Sequence, residues 1–155
     1  RRGAQAAALK ELGAAEVIVT GEPNPLDAAV AILGKLKPRI LLDAVGDQFT
    51  ADLFFAMPGQ ARWVNYGKLS TEAPALTELG QMIFRGKQIE GFWLTRWMKQ
   101  VDPVRIPQAF VEIQERFVSG QWKTDVAGIV PLSQAMEELP EVLAMPDGKA
   151  FIDPR

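Results

Sequence analysis

Few side chains in this sequence could do chemistry, and the most suggestive of them is Asp43. It lies in an otherwise apolar run from Ile40 to Val45, and Gly46 ends that run. A carboxylate in such a position could act as a general base, or it could simply cap the end of a strand. Val45 and Gly46 would then lie at the carboxyl end of the strand, where open α/β sheets bind ligands.

The residue types that are missing exclude several kinds of catalytic chemistry. The 155 residues contain no histidine and no cysteine. Disulfides, thiol nucleophiles, Ser-His pairs and zinc sites built on His or Cys therefore cannot come from this chain. We expect no catalytic residue and no metal ligand in it.

The charge balance and the hydropathy of the sequence argue against some classes of binding partner. There are 17 basic and 19 acidic residues, a net charge of −2, which argues against nucleic acid or a membrane surface as the main partner. Apolar residues make up 48% of the chain, enough for a packed core, but no apolar run reaches the ~18 residues of a membrane span. No targeting signal is recognisable, so the expected location is a bacterial-type cytoplasm or an organelle matrix.

The elements that must position such residues alternate along the chain. Strands are predicted at 17–20, 40–45, 63–66, 88–94 and 149–152, and helices at 4–12, 24–34, 50–57, 75–85, 106–117 and after Pro131. The run 40–45 is apolar enough to be a strand buried on both faces. Strands that alternate with helices of this length indicate right-handed βαβ units and a mostly parallel sheet.

One hallmark of nucleotide-binding α/β folds is absent from the sequence. No G-x-G-x-x-G turn occurs, and the first recognisable element is a helix preceded by Arg1 and Arg2. An arginine beyond the second strand of such a fold can hold a 2′-phosphate, because the guanidinium fork matches phosphate oxygens. The alternative is that Arg1 and Arg2 are solvated surface charges.

Several segments, taken in order, resemble one family. They are Leu12-Gly13-Ala14, Ile40 to Gly46 (ILLDAVG), Trp63 to Ser70 (WVNYGKLS), Gly91 to Trp97 (GFWLTRW), Val130 to Ser133 and Gly148 to Phe151. Together they are similar to the cofactor domain of the medium-chain dehydrogenase/reductases. The GFWLTRW segment looks like the zinc-independent 2-enoyl thioester reductases, the trans-2-enoyl-CoA reductase branch with its quinone-oxidoreductase-like relatives.

The resemblance implies an incomplete doubly wound, Rossmann-like parallel sheet that lacks its first strands, with C-terminal helices and a return strand. Residues 1–125 would be a partial NADP-binding domain that starts after its second strand, and 126–155 a return segment towards an absent catalytic domain. Strand 17–20 would then have no neighbour in the sheet. Strand 40–45 would become an exposed apolar edge.

The resemblance also implies which residues contact the cofactor, expected to be NADPH without a metal. The set is Arg1 and Arg2 at the 2′-phosphate; Val45 and Gly46 at a strand end; Tyr66, Gly67, Lys68 and Leu69 in the turn that passes the cofactor; Phe92, Trp93, Leu94 and Thr95 beside the nicotinamide half; and Lys149 from the C-terminal segment. Lys68 departs from the family's pattern, which has a second glycine there, and its side chain disfavours a close backbone approach.

The implied reaction is hydride transfer from NADPH to the β-carbon of an enoyl thioester, followed by protonation at the α-carbon. The family's tyrosine for the protonation lies in the absent domain, so this chain alone should be inactive. The alternatives are a zinc-type alcohol dehydrogenase or quinone oxidoreductase of the same superfamily, or a non-catalytic α/β dimerisation module. A homodimer through strand 88–94 is also implied.

Overall fold

The computed structural model describes residues 2–145 and 148–155, which form two compact units. The first runs to Lys99 and the second from Gln100 to Arg155. The elements of the first are α1 (Arg2–Glu11), α2 (Pro25–Leu36), β1 (Ile40–Asp43), α3 (Gln48–Ala56), β2 (Arg62–Asn65), α4 (Gly80–Phe84), β3 (Gln88–Gly91) and α5 (Leu94–Gln100), which ends at the boundary.

The first unit is built on a parallel sheet of order β1-β2-β3. Ile40 lies opposite Arg62, and Arg62 lies opposite Gln88, so the three strands begin and end together. Helix α3 connects β1 to β2, and α4 connects β2 to β3. The predicted α/β class with a parallel sheet is therefore confirmed.

The core lies where α3 packs on one face of this sheet. It consists of Ala51, Phe54, Phe55, Met57, Ala61 and Trp63, with Leu33, Leu41 and Met82 packed against it. The rings of Phe54 and Trp63 are tilted, with centroids 5.5 Å apart. Burial of these aromatic and aliphatic groups is the main force that seats the helix on the strands.

The prediction that strand 40–45 is buried on both faces is wrong. Alternate side chains of β1 point to opposite faces of the sheet. Asp43 is only 4% exposed, whereas Ile40 and Leu42 are 61% and 66% exposed. Their side of the strand is therefore largely open, and β1 lies at the edge of the described sheet, as the missing-strand argument predicted.

The predicted strand at 17–20 is not formed. Among the described residues no strand pairs with this segment, which lies beside α1 around a small cavity of about 240 Å³. A β-branched run such as Val17-Ile18-Val19 becomes a strand only where a neighbour accepts its backbone hydrogen bonds. The expectation that it would lack a neighbour in the sheet therefore holds.

Other boundaries shift by several residues. Helix α2 continues through Gly34 and ends where Lys37, at φ 49°, donates its N–H to the Leu33 carbonyl at 2.9 Å. The predicted helix 75–85 shortens to α4. The predicted strand 88–94 ends at Gly91, because Leu94 already begins α5.

The second unit contains α6 (Arg105–Val118), β4 (Val126–Pro131), a 3₁₀ turn (Leu132–Gln134), α7 (Ala135–Leu143) and β5 (Lys149–Asp153). Strands β4 and β5 pair in parallel, which confirms the predicted strand at 149–152. Helix α7 packs on them closely, since a Cβ at Gly128 would lie 3.0 Å from Val142. The predicted division of roles at 125/126 stays a prediction.

A buried lysine anchors the end of α3. Lys87 is 2% exposed, and its Nζ donates to the carbonyls of Phe54 and Phe55 at 2.7 and 2.9 Å. These carbonyls belong to the last turn of the helix, where a cation is favourable. Burial, and then the charge of Arg85, lower the pKa of Lys87 from 10.5 to about 8.

This lysine should make stability rise with pH. Between about pH 8 and 10.5 the unfolded chain holds the proton that the folded chain has released, so the free energy of unfolding increases over that window. The rise should be at most about 3 kcal/mol. Urea unfolding from pH 7 to 10.5 measures it. Lys87→Met should remove this part of the slope, and Arg85→Gln should reduce it. Equal slopes in the wild type and Lys87→Met would contradict the assignment.

Candidate functional site at the carboxyl edge of the sheet

The segments that follow β1, β2 and β3 run side by side at the carboxyl edge of the sheet. Tyr66 donates its backbone N–H to the Asp43 carbonyl at 2.8 Å, and Ser70 donates to the Val45 carbonyl at 2.9 Å. Phe92 donates to the Asn65 carbonyl at 2.8 Å. The pairing of the strands thus continues into the turns and fixes their relative positions.

The Asp43 carboxylate ties two of these segments together. Oδ1 accepts from the backbone N–H of Val45 at 2.8 Å, and both oxygens accept from Gly46 at 3.1 Å. Oδ2 also accepts from Trp63 Nε1 and Asn65 Nδ2, each at 3.0 Å. Asp43 is therefore an internal anchor between the turn after β1 and the end of β2.

The hydrogen bonds around Asp43 decide between its two predicted roles. Burial by itself raises the pKa of Asp43, but bonds from the Val45 and Gly46 N–H groups and from Trp63 and Asn65 outweigh it and hold the pKa below its ordinary value. A buried carboxylate that accepts so many bonds is a poor general base. The geometry supports the structural alternative, a cap at the strand end.

Gly67 lets the turn after β2 approach the turn after β1. A Cβ at this position would lie 2.8 Å from the Ala44 carbonyl oxygen and 3.1 Å from its Cα. The neighbouring Leu69 N–H donates to that same carbonyl at 3.2 Å. The backbone contact leaves room for hydrogen only, which gives Gly67 a role beyond a simple turn.

A depression of about 410 Å³, here called the carboxyl-edge pocket, opens between the ends of β2 and β3. It is lined by Asn65, Tyr66, Gly67, Lys68, Gly91, Phe92, Trp93 and Arg96. The Arg96 guanidinium lies 5.9 Å from the centre of the Trp93 ring, within cation–π range. The pocket therefore combines exposed aromatic faces with two cationic side chains.

A second depression of about 300 Å³ lies on the other side of Lys68. Its lining includes Gly46, Asn65 and Lys68, together with Pro74 and Leu76 from the segment that precedes α4. Lys68 and Asn65 border both depressions, so a ligand that extended across this edge would pass both side chains.

The structure brings part of the predicted site together. Tyr66, Gly67 and Lys68 share the carboxyl-edge pocket with Phe92 and Trp93, and Gly46 shares the second depression with Lys68. What these residues bind stays a prediction. Asn65 and Arg96 were missed, although a polar residue at the last position of a strand and a cation three residues after Trp93 were visible signals.

The remaining predicted site residues do not line either depression or lie outside the described residues. Val45, Leu69, Leu94 and Thr95 do not line these two depressions, and Leu69 and Leu94 are exposed. Lys149 belongs to β5 of the second unit. Arg1 lies outside the described residues, and so does the side chain of Arg2, whose backbone begins α1.

Neither a metal-ion site nor a membrane-spanning helix is present among the described residues. In residues 2–145 and 148–155, no group of three or more acidic, histidine or cysteine side chains could hold a metal ion. Within the same ranges, no helix has the length and hydropathy needed to cross a membrane.

Two curated proteins that are similar in sequence to this chain carry the same name. No family model matches the chain. The mitochondrial enoyl-[acyl-carrier-protein] reductase of Dictyostelium discoideum is 36% identical over 93 residues, which are 59% of this chain and 26% of that protein. The chain spans about a third of the length of the similarly named Bos taurus protein, at 26% identity over 124 residues.

Solved structures show the same architecture. The crystal structure of a candidate NADPH:quinone reductase from Mesorhizobium loti is 44% identical, with a TM-score of 0.89 over 99% of this chain and 44% of its own. The Etr1p complex with NADP and crotonyl-CoA has a TM-score of 0.68 at 18% identity, over 83% of this chain and 36% of that one. The second likeness concerns the fold alone.

Proposed function

We propose, from the confirmed relationship of this chain to the medium-chain dehydrogenase/reductases, that it forms the cofactor-binding part of an NADPH-dependent oxidoreductase. The observation that carries the proposal is the carboxyl-edge pocket, which unites the Tyr66-Gly67-Lys68 turn with Phe92 and Trp93. Parallel α/β sheets bind nucleotides at this edge. The Etr1p complex with NADP and crotonyl-CoA shares the fold.

The side chains of the pocket suit a dinucleotide. Tyr66 and Trp93 offer exposed aromatic faces to planar rings, and Lys68 and Arg96 offer positive charge to phosphates. When bound, NADPH supplies the hydride, and the chain contributes binding and orientation. Asp43 and Gly67 contribute indirectly, since they join the turn after β2, which borders the pocket, to the turn after β1.

For the substrate we propose an enoyl thioester whose 2,3 double bond is reduced. The GFWLTRW segment and the curated relatives named enoyl-[acyl-carrier-protein] reductase support it. The second candidate is a quinone, which the 44% identical Mesorhizobium loti protein favours. Rates with crotonyl-CoA and with a benzoquinone, measured on the full-length protein that contains this chain, discriminate between them. A preference for the quinone would reject the enoyl thioester.

The 155-residue chain alone is expected to give no turnover with NADPH and crotonyl-CoA. The proposal assigns it no residue that protonates the substrate, and Tyr66 lies in the cofactor turn. Loss of absorbance at 340 nm is the assay, with the full-length protein as positive control. Measurable reduction by the chain alone would contradict the division of roles.

Cofactor binding is tested through Trp93. In the full-length protein, Trp93→Ala should weaken NADPH binding by about tenfold, because an aromatic contact contributes about 1 kcal/mol and its burial adds to that. Trp122→Ala in the second unit is the matched control and should leave the affinity unchanged. If both variants bind NADPH as the wild type does, the pocket is not the cofactor site. The chain would then fit the non-catalytic module better.

We also propose the homodimer through β3 that the resemblance implies. β3 is an edge strand of the three-stranded sheet, with Ile89 41% exposed, so its outer backbone groups are open to pairing with a second copy. Sedimentation at micromolar concentration should show a dimer, and a single monomeric species would reject it. The named relatives are mitochondrial, and an organelle matrix or a bacterial-type cytoplasm remains the predicted location.

A further inference from the structure

The opposite, amino edge of the first unit's sheet carries a depression that the proposed cofactor site does not use. It is lined by Arg39, Pro58, Gly59, Gln60, Phe84, Arg85 and Gly86 and has a volume of about 630 Å³, within the range of small-molecule sites. Phe84 is the last residue of α4, and the other lining residues belong to the turns that lead into β1, β2 and β3. We call it the amino-edge pocket.

The charge of this pocket is not balanced. Arg39 and Arg85 are its two charged lining residues, and no acidic side chain lines it. Nowhere in the part of the chain that the structure describes does either arginine form an ion pair. Among the described residues, the Arg39 guanidinium donates one long hydrogen bond, of 3.5 Å, to Gln60 Oε1. Arg62, on the neighbouring strand, is in contrast paired with Glu90.

A third cation lies behind the pocket. Lys87 is buried next to Arg85 and is hydrogen bonded to carbonyl oxygens rather than to a carboxylate. After burial, the charge of Arg85 is the second cause that lowers the pKa of Lys87. Positive charges therefore repel one another in this corner, and an anion bound there would relieve the repulsion.

The backbone that frames the pocket is held in one shape. Gln60 and Gly86 both have φ of 62°, which for Gln60 is a left-handed conformation that non-glycine residues seldom adopt. The Gln60 N–H donates to the Arg85 carbonyl at 2.8 Å, and a Cβ at Gly59 would lie 3.2 Å from that same oxygen. The backbones of the two turns are thus joined, so the frame of the pocket needs little rearrangement to accept a ligand.

We propose that the amino-edge pocket binds a small phosphate monoester that carries an apolar group. The planar, multiply donating guanidinium groups of Arg39 and Arg85 match the oxygens and charge of a phosphate dianion. Phe84, a lining residue that is 86% exposed, offers its ring to the organic part of the ester. The pocket and the carboxyl edge lie at opposite ends of the same strands, so the proposal does not depend on the oxidoreductase function.

The experiment uses the 155-residue chain and three probes: inorganic phosphate, glycerol phosphate and phenyl phosphate. Calorimetry should detect binding, and phenyl phosphate should bind at least about threefold more tightly than inorganic phosphate. The backbone amide signals of Gln60, Arg85 and Gly86 should shift on titration. Sodium chloride at equal ionic strength should not reproduce these shifts, because a bound ligand acts on the residues of the pocket whereas ionic screening acts on the whole surface.

Variants separate the proposal from non-specific attraction. Arg39→Gln combined with Arg85→Gln should weaken phenyl phosphate binding at least tenfold, whereas the double control Arg105→Gln with Lys123→Gln, of equal charge change, should bind phenyl phosphate as the wild type does. Phe84→Ala should weaken phenyl phosphate but not inorganic phosphate. Both arginines are exposed, and circular dichroism checks that the variants fold. Undiminished binding by the Arg39/Arg85 variant, or shifts at Gly46 and Gly67 instead, would overturn the proposal.

Discussion

Replacing Asp43 by alanine should lower the free energy of unfolding by about 3–5 kcal/mol, because each buried donor left without an acceptor costs about 1–3 kcal/mol. The carboxylate accepts from the N–H groups of Val45 and Gly46 and from the side chains of Trp63 and Asn65. Urea unfolding at pH 7 measures the loss. Asp27→Asn, an exposed acidic residue of α2, is the control and should cost less than about 1 kcal/mol.

A double-mutant cycle tests the mechanism behind this loss. Asp43→Asn keeps the size of the side chain but replaces one carboxylate oxygen by an NH2 group. That group cannot accept a hydrogen bond from the donors that face it. Trp63→Phe removes the indole donor, so it should cost less in the Asp43→Asn background than alone, by about 1 kcal/mol. Strict additivity would show that the bond from Trp63 Nε1 contributes little.

The same anchor should contribute to acid unfolding. The pKa of Asp43 is lower in the folded chain than in the unfolded chain, so its contribution is fully present above the unfolded value of about 3.9. It is lost as the pH falls through the folded value. The difference in stability between wild type and Asp43→Asn should therefore narrow below about pH 4. A constant difference down to pH 2 would contradict the lowered pKa.

Gly67→Ala should destabilise the first unit by about 1–3 kcal/mol, because its Cβ would collide with backbone rather than with a movable side chain. The turn must retreat from Ala44, whose carbonyl oxygen would lie 2.8 Å away. Under the proposed function, the same change should weaken NADPH binding by the full-length protein, because Tyr66 and Lys68 move with the turn. Thermal unfolding and NADPH titration are the two measurements.

Gly34→Ala is the matched control and should act with the opposite sign. Gly34 lies inside α2, and a Cβ there would meet nothing within 4 Å. Alanine is favoured over glycine in a helix interior by up to about 1 kcal/mol, so this variant should be more stable than the wild type. If Gly67→Ala has the thermal stability and the NADPH affinity of the wild type, the close approach of the two turns contributes to neither.

Gly34 and Gly67 have different structural roles that their local sequences do not distinguish. Both are glycines that follow apolar or aromatic segments: Gly34 ends the predicted helix 24–34, and Gly67 directly follows the predicted strand 63–66. Gly34 lies within a helix that ends only at Leu36, whereas Gly67 touches the backbone of a segment more than 20 residues earlier. Local sequence carries the propensity of a residue but not the identity of its distant neighbours.

The role of Asp43 was likewise only partly predictable from the sequence. Its place at the end of an apolar run was visible, and so were its two alternative roles. Its partners Trp63 and Asn65 are on the next strand, and their register with β1 comes from the folded sheet. The pocket residues Tyr66 and Trp93 were predicted through a family resemblance. Their juxtaposition required the parallel pairing of β2 with β3.

What the sequence determined by itself was the succession of most helices and of the strands β1, β2, β3 and β5, because apolar periodicity and turn residues are local signals. Strand β4 and helix α5 were not predicted. Its composition also excluded histidine and cysteine chemistry. Only the tertiary structure decided which short apolar runs become strands. Val17-Ile18-Val19 has no strand partner among the described residues, and Ile40-Leu41-Leu42 has one. A strand is completed by hydrogen bonds to another segment, and a single segment cannot specify that other segment.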